Sequence, residues 1–352
     1  QVVTVVAQPA PDTAALRPGE AIVAVRAAAV GWVDLLMTSG QYQHMPEPPY
    51  CPGIDFAGEV VAVGPGVDPA RCGVGDRMIV DFMQVGPRTD GPYRRAAGCA
   101  SYAVVPVEAL HRVPARLSFD QAANLLGPYE TAYHCLIVRG RLRAGETVLI
   151  TGAAGATGLA AVQVAKAIGA TVIGTGRSAT KLARVKALGA DHVIDTLEPD
   201  TATGGSGVRR FRDEVKALTG GRGVPLVYDT VGGDTSLECL RCVDFGARFV
   251  IVGWTSTPDV ARGRGGRGAP RANQLPTNLI QMKGLDVLGA PAVISVAHDP
   301  TLRAPRLAQV LRWAEDGTVV PHVSHVFPLE RVQDAMRARW QGEVLGGCVL
   351  RP

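Results

Sequence analysis

The most chemically suggestive run in this sequence is Gly152-Ala-Ala-Gly155-Ala-Thr-Gly158, set between an apolar run and a helix-forming stretch. Gly155 and Gly158 occupy the second and third glycine places of the dinucleotide fingerprint, with Ala153 in the first. The second glycine lets a pyrophosphate approach the backbone, and the third lets a helix pack close to a strand. The helix start then offers unpaired N–H groups to the anion. Ala154, Gly155, Ala156, Thr157 and Gly158 are the candidate cradle; the plainer alternative is an ordinary glycine-rich turn. About twenty residues on, NAD sites carry an Asp or Glu for the ribose 2′-hydroxyl. Here the chain reads Gly176-Arg177-Ser178, with Lys181 one turn later. Arg177 and Lys181 attract a 2′-phosphate, Ser178 can donate to it, and no carboxylate in this turn repels it, so the charges favour NADPH. The alternative is a solvated basic turn opening a helix.

These residues need a frame. Apolar runs at 147–151, 171–175, 192–195, 224–229, 248–253 and 285–289 alternate with helical patterns such as LAAVQVAKAIG, ATKLARVKALG, FRDEVKALTG and TSLECLRCVDFG. Strand–helix alternation with nearly continuous apolar strands predicts an α/β fold with a doubly wound parallel sheet. The first ~115 residues differ. Short β-rich runs (VVTVVA, EAIVAVRAAAV, GEVVAVG, DRMIV, SYAVV) separated by Pro/Gly turns predict an antiparallel, barrel-like unit. After about residue 300, a helix, strand-like material and a second helix close the chain.

Length and composition agree with two domains. The chain has 352 residues, 47% hydrophobic and 19% charged, which excludes wholesale disorder. A net charge of +4, scattered along the chain, gives no nucleic-acid or membrane-surface footprint. The seven cysteines, odd in number and dispersed, read as reduced thiols of a cytoplasmic protein. The opening QVVTVVAQPAP has no basic-then-apolar leader, so no targeting signal is expected in it. Residues 147–165 carry no charge, but their glycines break a membrane-spanning helix, and a soluble strand–loop–helix is expected. Cys239 and Cys242 lie in a helical pattern without a second pair nearby, and His322 and His325 lack a third ligand in sequence; packing is the expected role of each.

Over nearly its whole length the chain resembles the medium-chain dehydrogenase/reductase superfamily, specifically its zinc-free quinone oxidoreductase and enoyl reductase branch. The resemblance rests on AAAVGWVDLLMTSGQY (27–42), PGIDFAGEVVAVGPGV (52–67), GVGDR (73–77), PYETAYHCL (128–136), GAAGATG (152–158) and LGADHVID (188–195). It implies a GroES-like substrate domain over residues 1–118, completed by 300–352, and an NADPH-binding Rossmann domain over 119–299. Zinc-dependent relatives carry a Cys where this chain has Gly31, and a Gly-His-Glu that corresponds to Gly53-Ile54-Asp55. Only Cys99 stands where their structural zinc lobe has several cysteines. No metal is expected.

Without a Lewis acid, the acceptor must spread its own charge, as quinones and α,β-unsaturated carbonyl compounds do. Related enoyl reductases place a catalytic tyrosine at the Gly-x-Tyr position occupied here by Tyr42. Tyr42 is thus either the proton donor or a pocket wall, since a phenol needs a positioned partner to serve as an acid. The resemblance also places Thr131 beside the cofactor and Gly253 beside the nicotinamide, and implies a homodimer. Asn278 and Lys283 fit a recurrent family spacing, with structural roles equally open. Two positions depart from the branch: Gly31 replaces an Asn, and Thr196 replaces an aromatic. The rival readings are an enoyl-thioester or polyketide-type reductase and a non-enzymatic, crystallin-like nucleotide- or RNA-binding protein. The Arg262–Gly268 run RGRGGRG motivates the latter, but one short copy without aromatics makes nucleic acid an unlikely partner.

Overall fold

The computed structural model describes residues 3–42, 45–199, 206–256 and 273–352, so the RGRGGRG run lies outside the described residues. The described chain forms two compact units, one from residues 3–127 and 311–352, the other from 128–256 and 273–310.

The first unit begins with β1 (Glu20–Ala29), buried everywhere except Arg26. It reads as a nearly continuous apolar run because side chains on both its faces are buried. The helix α1 (Trp32–Thr38) follows, and then β2 (Phe56–Val63), β3 (Arg77–Val80), β4 (Tyr102–Pro106) and β5 (Leu110–Arg112). Strand β1 pairs antiparallel with both β2 and β4, and β3 pairs antiparallel with β2 and β5. Their inward faces, with Val23, Phe56, Met78 and Val105, form one core. The run VVTVVA, expected as a strand, is not one: described residues 3–12 carry no regular structure, and Val5 and Val6 stand 48% and 65% exposed. Pro9 and Pro11 close behind it remove backbone donors that a ladder would need.

Short helices α2 (Phe119–Ala122) and α3 (Leu126–Tyr133) lead into the second unit. Here β6 (Thr147–Ile150), α4 (Ala156–Ile168), β7 (Thr171–Gly176), α5 (Ala179–Ala187) and β8 (His192–Asp195) run in strict alternation. A short antiparallel pair, β9 (Leu197–Pro199) and β10 (Ser206–Val208), precedes α6 (Arg212–Leu218), β11 (Val224–Asp229), α7 (Gly233–Cys242), β12 (Val243–Ile251), α8 (Thr277–Lys283) and β13 (Asp286–Gly289). The strands form one parallel sheet in the order β13-β12-β11-β6-β7-β8. That is the doubly wound Rossmann order, with the reversal between β6 and β11. The charge-free run 147–165 is thus β6, a loop and most of α4. Among the described residues no helix is long and apolar enough to cross a membrane. Strand β12 starts at Val243, inside what the sequence pattern offers as helix, because Val243 enters the ladder opposite Val224.

After α9 (Ala292–His298) and α10 (Arg303–Asp316), the chain returns to the first unit's sheet with β14 (Val323–Pro328), α11 (Val332–Trp340) and β15 (Gly347–Arg351). Strand β15 pairs antiparallel with β1 and parallel with β14. The outcome is an α/β chain with a six-strand parallel Rossmann sheet and a largely antiparallel GroES-like unit.

Within the second unit, buried Glu130 receives two guanidinium groups: Arg303 Nη2 at 3.0 Å and Arg306 Nε at 2.9 Å. His134 lies one turn beyond Glu130, its Nε2 3.4 Å from Ser295 Oγ and its Nδ1 buried without a partner among the described residues. Burial first, and then the charges of Arg306 and Arg139, push its pKa down to about 4. The unfolded chain binds a proton near pH 6.5, whereas the fold refuses one until about pH 4. This residue therefore makes stability fall as pH drops from about 6.5 towards about 4, with its full stabilising balance above that window. His134→Gln is expected to flatten that part of the profile, measured as urea midpoints at pH 7.5, 5.5 and 4.5.

Candidate functional site

The site grows from the point where the parallel sheet reverses. Directly after β6 stands Thr151, whose N–H donates to the Tyr228 carbonyl at 3.0 Å and whose Oγ1 donates to Asp229 Oδ1 at 2.7 Å. Thr230 answers from just past β11: its N–H donates to Thr151 Oγ1 and its hydroxyl to the Thr151 carbonyl, both at 2.9 Å. Asp229 is wholly buried and also accepts from Ser236 Oγ and from the amides of Val231 and Gly232. A buried carboxylate is tolerable only when so completely hydrogen-bonded. This network locks together the two strand ends flanking the reversal.

On that lock stands the glycine loop. The Ala153 N–H donates to the Thr175 carbonyl at 2.9 Å, tying the loop to β7. Gly152 adopts φ +59°, and a Cβ there would lie 2.6 Å from Thr230 Oγ1. Gly158 is tighter still: a Cβ would stand 2.2 Å from the Gly152 carbonyl oxygen and 2.9 Å from Ala153 Cα. Helix α4 can therefore start against the strand only because residue 158 is glycine. Gly155 is its N-cap, gives no side-chain cap, and no acidic residue occupies the first turn. Ala154, Gly155, Ala156 and Thr157 are half-buried, and Gly158 is buried. The result is a cradle of backbone donors at the positive end of a 13-residue helix, and it fits a pyrophosphate.

At the neighbouring strand end, the Gly176 carbonyl accepts from the Thr196 amide at 2.8 Å and from its hydroxyl at 3.1 Å. Arg177 is exposed and Lys181 half-buried. Ser178 caps α5, its Oγ accepting from the Lys181 amide at 3.4 Å, which leaves the hydroxyl proton free to be donated. The sequence reading missed two groups here. Asp195 sits opposite Gly176 in the β7–β8 register, so a carboxylate does lie on the neighbouring strand. Arg209, whose N–H donates to the Thr196 carbonyl at 3.1 Å, faces it and also pairs with Glu214. The cation offsets what the carboxylate would repel.

Gly253 follows β12, its amide donating to the Asp229 carbonyl at 3.2 Å. Thr131 is half-buried on α3, which is tied to α4 by the Tyr129 hydroxyl donating to Gln163 Oε1 at 2.9 Å. Tyr42 belongs to the other unit, just past α1, where Arg88 Nη1 donates to its hydroxyl at 3.4 Å. Lys283 Nζ donates to the Leu240 carbonyl at 2.8 Å, a C-terminal cap on α7. Cys239 and Cys242 are buried on α7, and burial raises both thiol pKa values, that of Cys242 to about 12. The His325 ring stacks on Phe327 at 6.2 Å. No group of three or more His, Cys, Asp or Glu placed to hold a metal occurs among the described residues.

Comparison with known proteins matches residues 17–115 to the alcohol dehydrogenase GroES-like domain and residues 156–301 to a family described as zinc-binding dehydrogenase. A quinone oxidoreductase-like protein 2 homolog of Nematostella vectensis is 32% identical over 330 residues, 93% of this chain and 80% of that protein. Quinone oxidoreductase-like protein 2 of Mus musculus is 32% identical over 333 residues, 93% of this chain and 85% of that protein. The chain belongs to the medium-chain dehydrogenase/reductase superfamily, in its quinone oxidoreductase-like branch. Among solved members, a mycobacterial structure complexed with NADPH superposes with a TM-score of 0.76 at 26% identity, covering 99% of this chain and 95% of that one. As a member of this superfamily, the chain is an oxidoreductase with an NAD(P)-binding Rossmann unit.

Of the residues the sequence analysis named, those from Ala154 to Gly158, with Gly176, Arg177, Ser178, Lys181 and Gly253, gather at the carboxyl ends of one parallel sheet, where such sheets bind ligands. Thr151, Asp229 and Ser236 went unread, although an Asp closing an apolar strand beside Thr-Val-Gly-Gly is a signal for such a lock. Gly158→Ala is expected to weaken binding of the nicotinamide dinucleotide at least ~10-fold, about 1.4 kcal/mol, in a fluorescence titration, because the displaced atoms are backbone.

Proposed function

We propose that this chain transfers hydride from NADPH to quinones or α,β-unsaturated carbonyl compounds without a metal. The observation that carries the reading is the glycine cradle at the uncapped, acid-free start of α4, with Arg177 and Lys181 beyond the next strand end. In this reading the α4 amides, with Ala154 to Gly158, hold the pyrophosphate. Gly176, Arg177, Ser178 and Lys181 hold the 2′-phosphate, with Arg209 offsetting Asp195. Thr131 and the backbone at Gly253 orient the nicotinamide, which supplies hydride from C4 when bound. Tyr42 supplies a proton as charge develops on the acceptor, and Arg88 is the positioned partner that a phenol acid needs. A homodimer in the cytoplasm belongs to the same reading, with β13, at the edge of the parallel sheet within the chain, as the pairing strand.

Steady-state oxidation of NADPH with a quinone panel and an enone panel tests the activity, and turnover of neither class would refute it. Arg177→Ala combined with Lys181→Ala is expected to raise the KM for NADPH at least ~10-fold while moving that for NADH by less than about twofold, as loss of charge-assisted phosphate contacts requires. Tyr42→Phe is expected to lower enone turnover at least ~10-fold, general acid catalysis being worth about 10²–10⁴-fold.

A further inference from the structure

Arg88 has no place in the resemblance and no carboxylate of its own. It stands in the 81–101 segment after β3, and that segment is held firmly. Asp81 accepts from the Met83 amide at 2.8 Å and from Gln84 Nε2 at 2.9 Å, and the Gly86 amide donates to the Tyr93 carbonyl at 3.1 Å. The guanidinium lies over the buried Phe82 ring, 5.1 Å from its centroid, and its Nη1 reaches the Tyr42 hydroxyl at 3.4 Å. Its Nε is buried with no hydrogen-bond partner among the described residues. Asp34 is the carboxylate whose field meets Arg88. Both Asp34 oxygens are already engaged, Oδ2 by the Gly31 amide and Oδ1 by the Gly53 amide, each at 2.9 Å. No ion pair to Arg88 within 4.0 Å occurs among the described residues. Tyr50 faces the same carboxylate, and its hydroxyl is likewise buried without a partner.

A buried cationic donor normally comes paired. Here a guanidinium whose Nε edge lacks a partner at the buried nitrogen sits, through Nη1, beside the phenol assigned to proton donation. That edge presents parallel N–H donors in one plane, the arrangement that takes both oxygens of a carboxylate. We propose that Arg88 is a substrate-recognition residue and that the conjugated acceptor reduced beside Tyr42 carries a carboxylate group. The inference rests on the functional reading above, which makes the surroundings of Tyr42 the place where the acceptor lies. A single guanidinium with one tyrosine hydroxyl suits a singly charged planar anion better than a phosphate, which calls for several cations.

Two acceptors of one skeleton, 3-benzoylacrylate and its methyl ester, separate the possibilities. The wild-type enzyme is expected to reduce both with NADPH and to favour the acid in kcat/KM by about 30-fold or more, as a desolvated, hydrogen-bonded charge pair allows. In Arg88→Met the acid-to-ester ratio should collapse towards one; Arg88→Lys, which keeps the charge but loses the fork, should retain part of it. An equal ratio in wild type and Arg88→Met overturns the carboxylate assignment and leaves the hydride-transfer reading standing. If wild type reduces neither acceptor, the functional reading fails, and calorimetry with benzoate against benzamide decides the anion site alone. Benzoate binding at least ~10-fold tighter than benzamide, lost in Arg88→Met, supports the site. No preference for benzoate, or tighter binding of inorganic phosphate, overturns it. Thermal melting of each variant shows whether a lost signal is lost folding.

Discussion

Helix α4 meets β6 at a distance that no side chain permits. The absent Cβ of Gly158 brings the first turn of the helix against the Gly152 carbonyl, and everything in the nucleotide site is placed relative to that contact. A helix backed away by even an ångström would aim its free amides past the cradle rather than into it, and their partial charge acts only within the first turn. The contact in turn needs a fixed floor. Asp229 provides it by taking hydrogen bonds from Thr151, Ser236 and the amides of the following loop, so that the ends of β6 and β11 move as one piece. Four donors on one buried carboxylate meet the cost of burying it and convert an unfavourable charge into a rigid joint.

The strand end that would set cofactor preference is a balance of charges rather than a simple basic patch. Asp195 stands opposite Gly176, but Arg209 faces it, leaving Arg177 and Lys181 to determine the local sign. Ser178 contributes differently, since its oxygen accepts a helix amide and only its proton points onward. Exposed cations are worth little in pairs with one another's counter-ions. They matter when a phosphate with several acceptor oxygens arrives, because charge-assisted bonds then form together.

Much of this was legible in the residues alone, for identifiable reasons. The central strands β6, β7 and β11 showed because strands buried on both faces must be apolar throughout, and Gly158 showed because sterics leave no alternative to it. What escaped notice depends on contacts between distant segments. Asp229 reads as an ordinary strand end until Thr151, 78 positions earlier, is brought against it. Asp195 and Arg209 gain meaning only from the register of β8 with β7. The run VVTVVA misled because β propensity describes a surface that fits a sheet, not the presence of a partner strand. Arg88 was silent for the same reason: nothing in PRTDG announces that its guanidinium will reach Tyr42.

The departure at Gly31 also becomes intelligible in three dimensions. Its amide donates to Asp34 Oδ2, and a Cβ there would lie 3.3 Å from that oxygen, so a larger side chain must crowd the carboxylate or displace it. Asp34 at the same time holds the Gly53 amide and joins two segments distant in sequence. Burial pushes its carboxyl pKa up, and the amides of Gly31, Gly53 and Ile54 oppose that shift together with Arg88. Arg339, half-buried and donating to the carbonyls of Val30 at 3.0 Å and Gly346 at 2.9 Å, also feels the same carboxylate. Two guanidinium groups therefore share one negative charge that backbone donors have already largely satisfied. Of the two, Arg88 carries its charge to the Tyr42 hydroxyl. A polar side chain at position 31 would add a neutral donor to this field. Glycine leaves the Asp34 carboxylate uncrowded and its hydrogen bond from the position-31 amide intact.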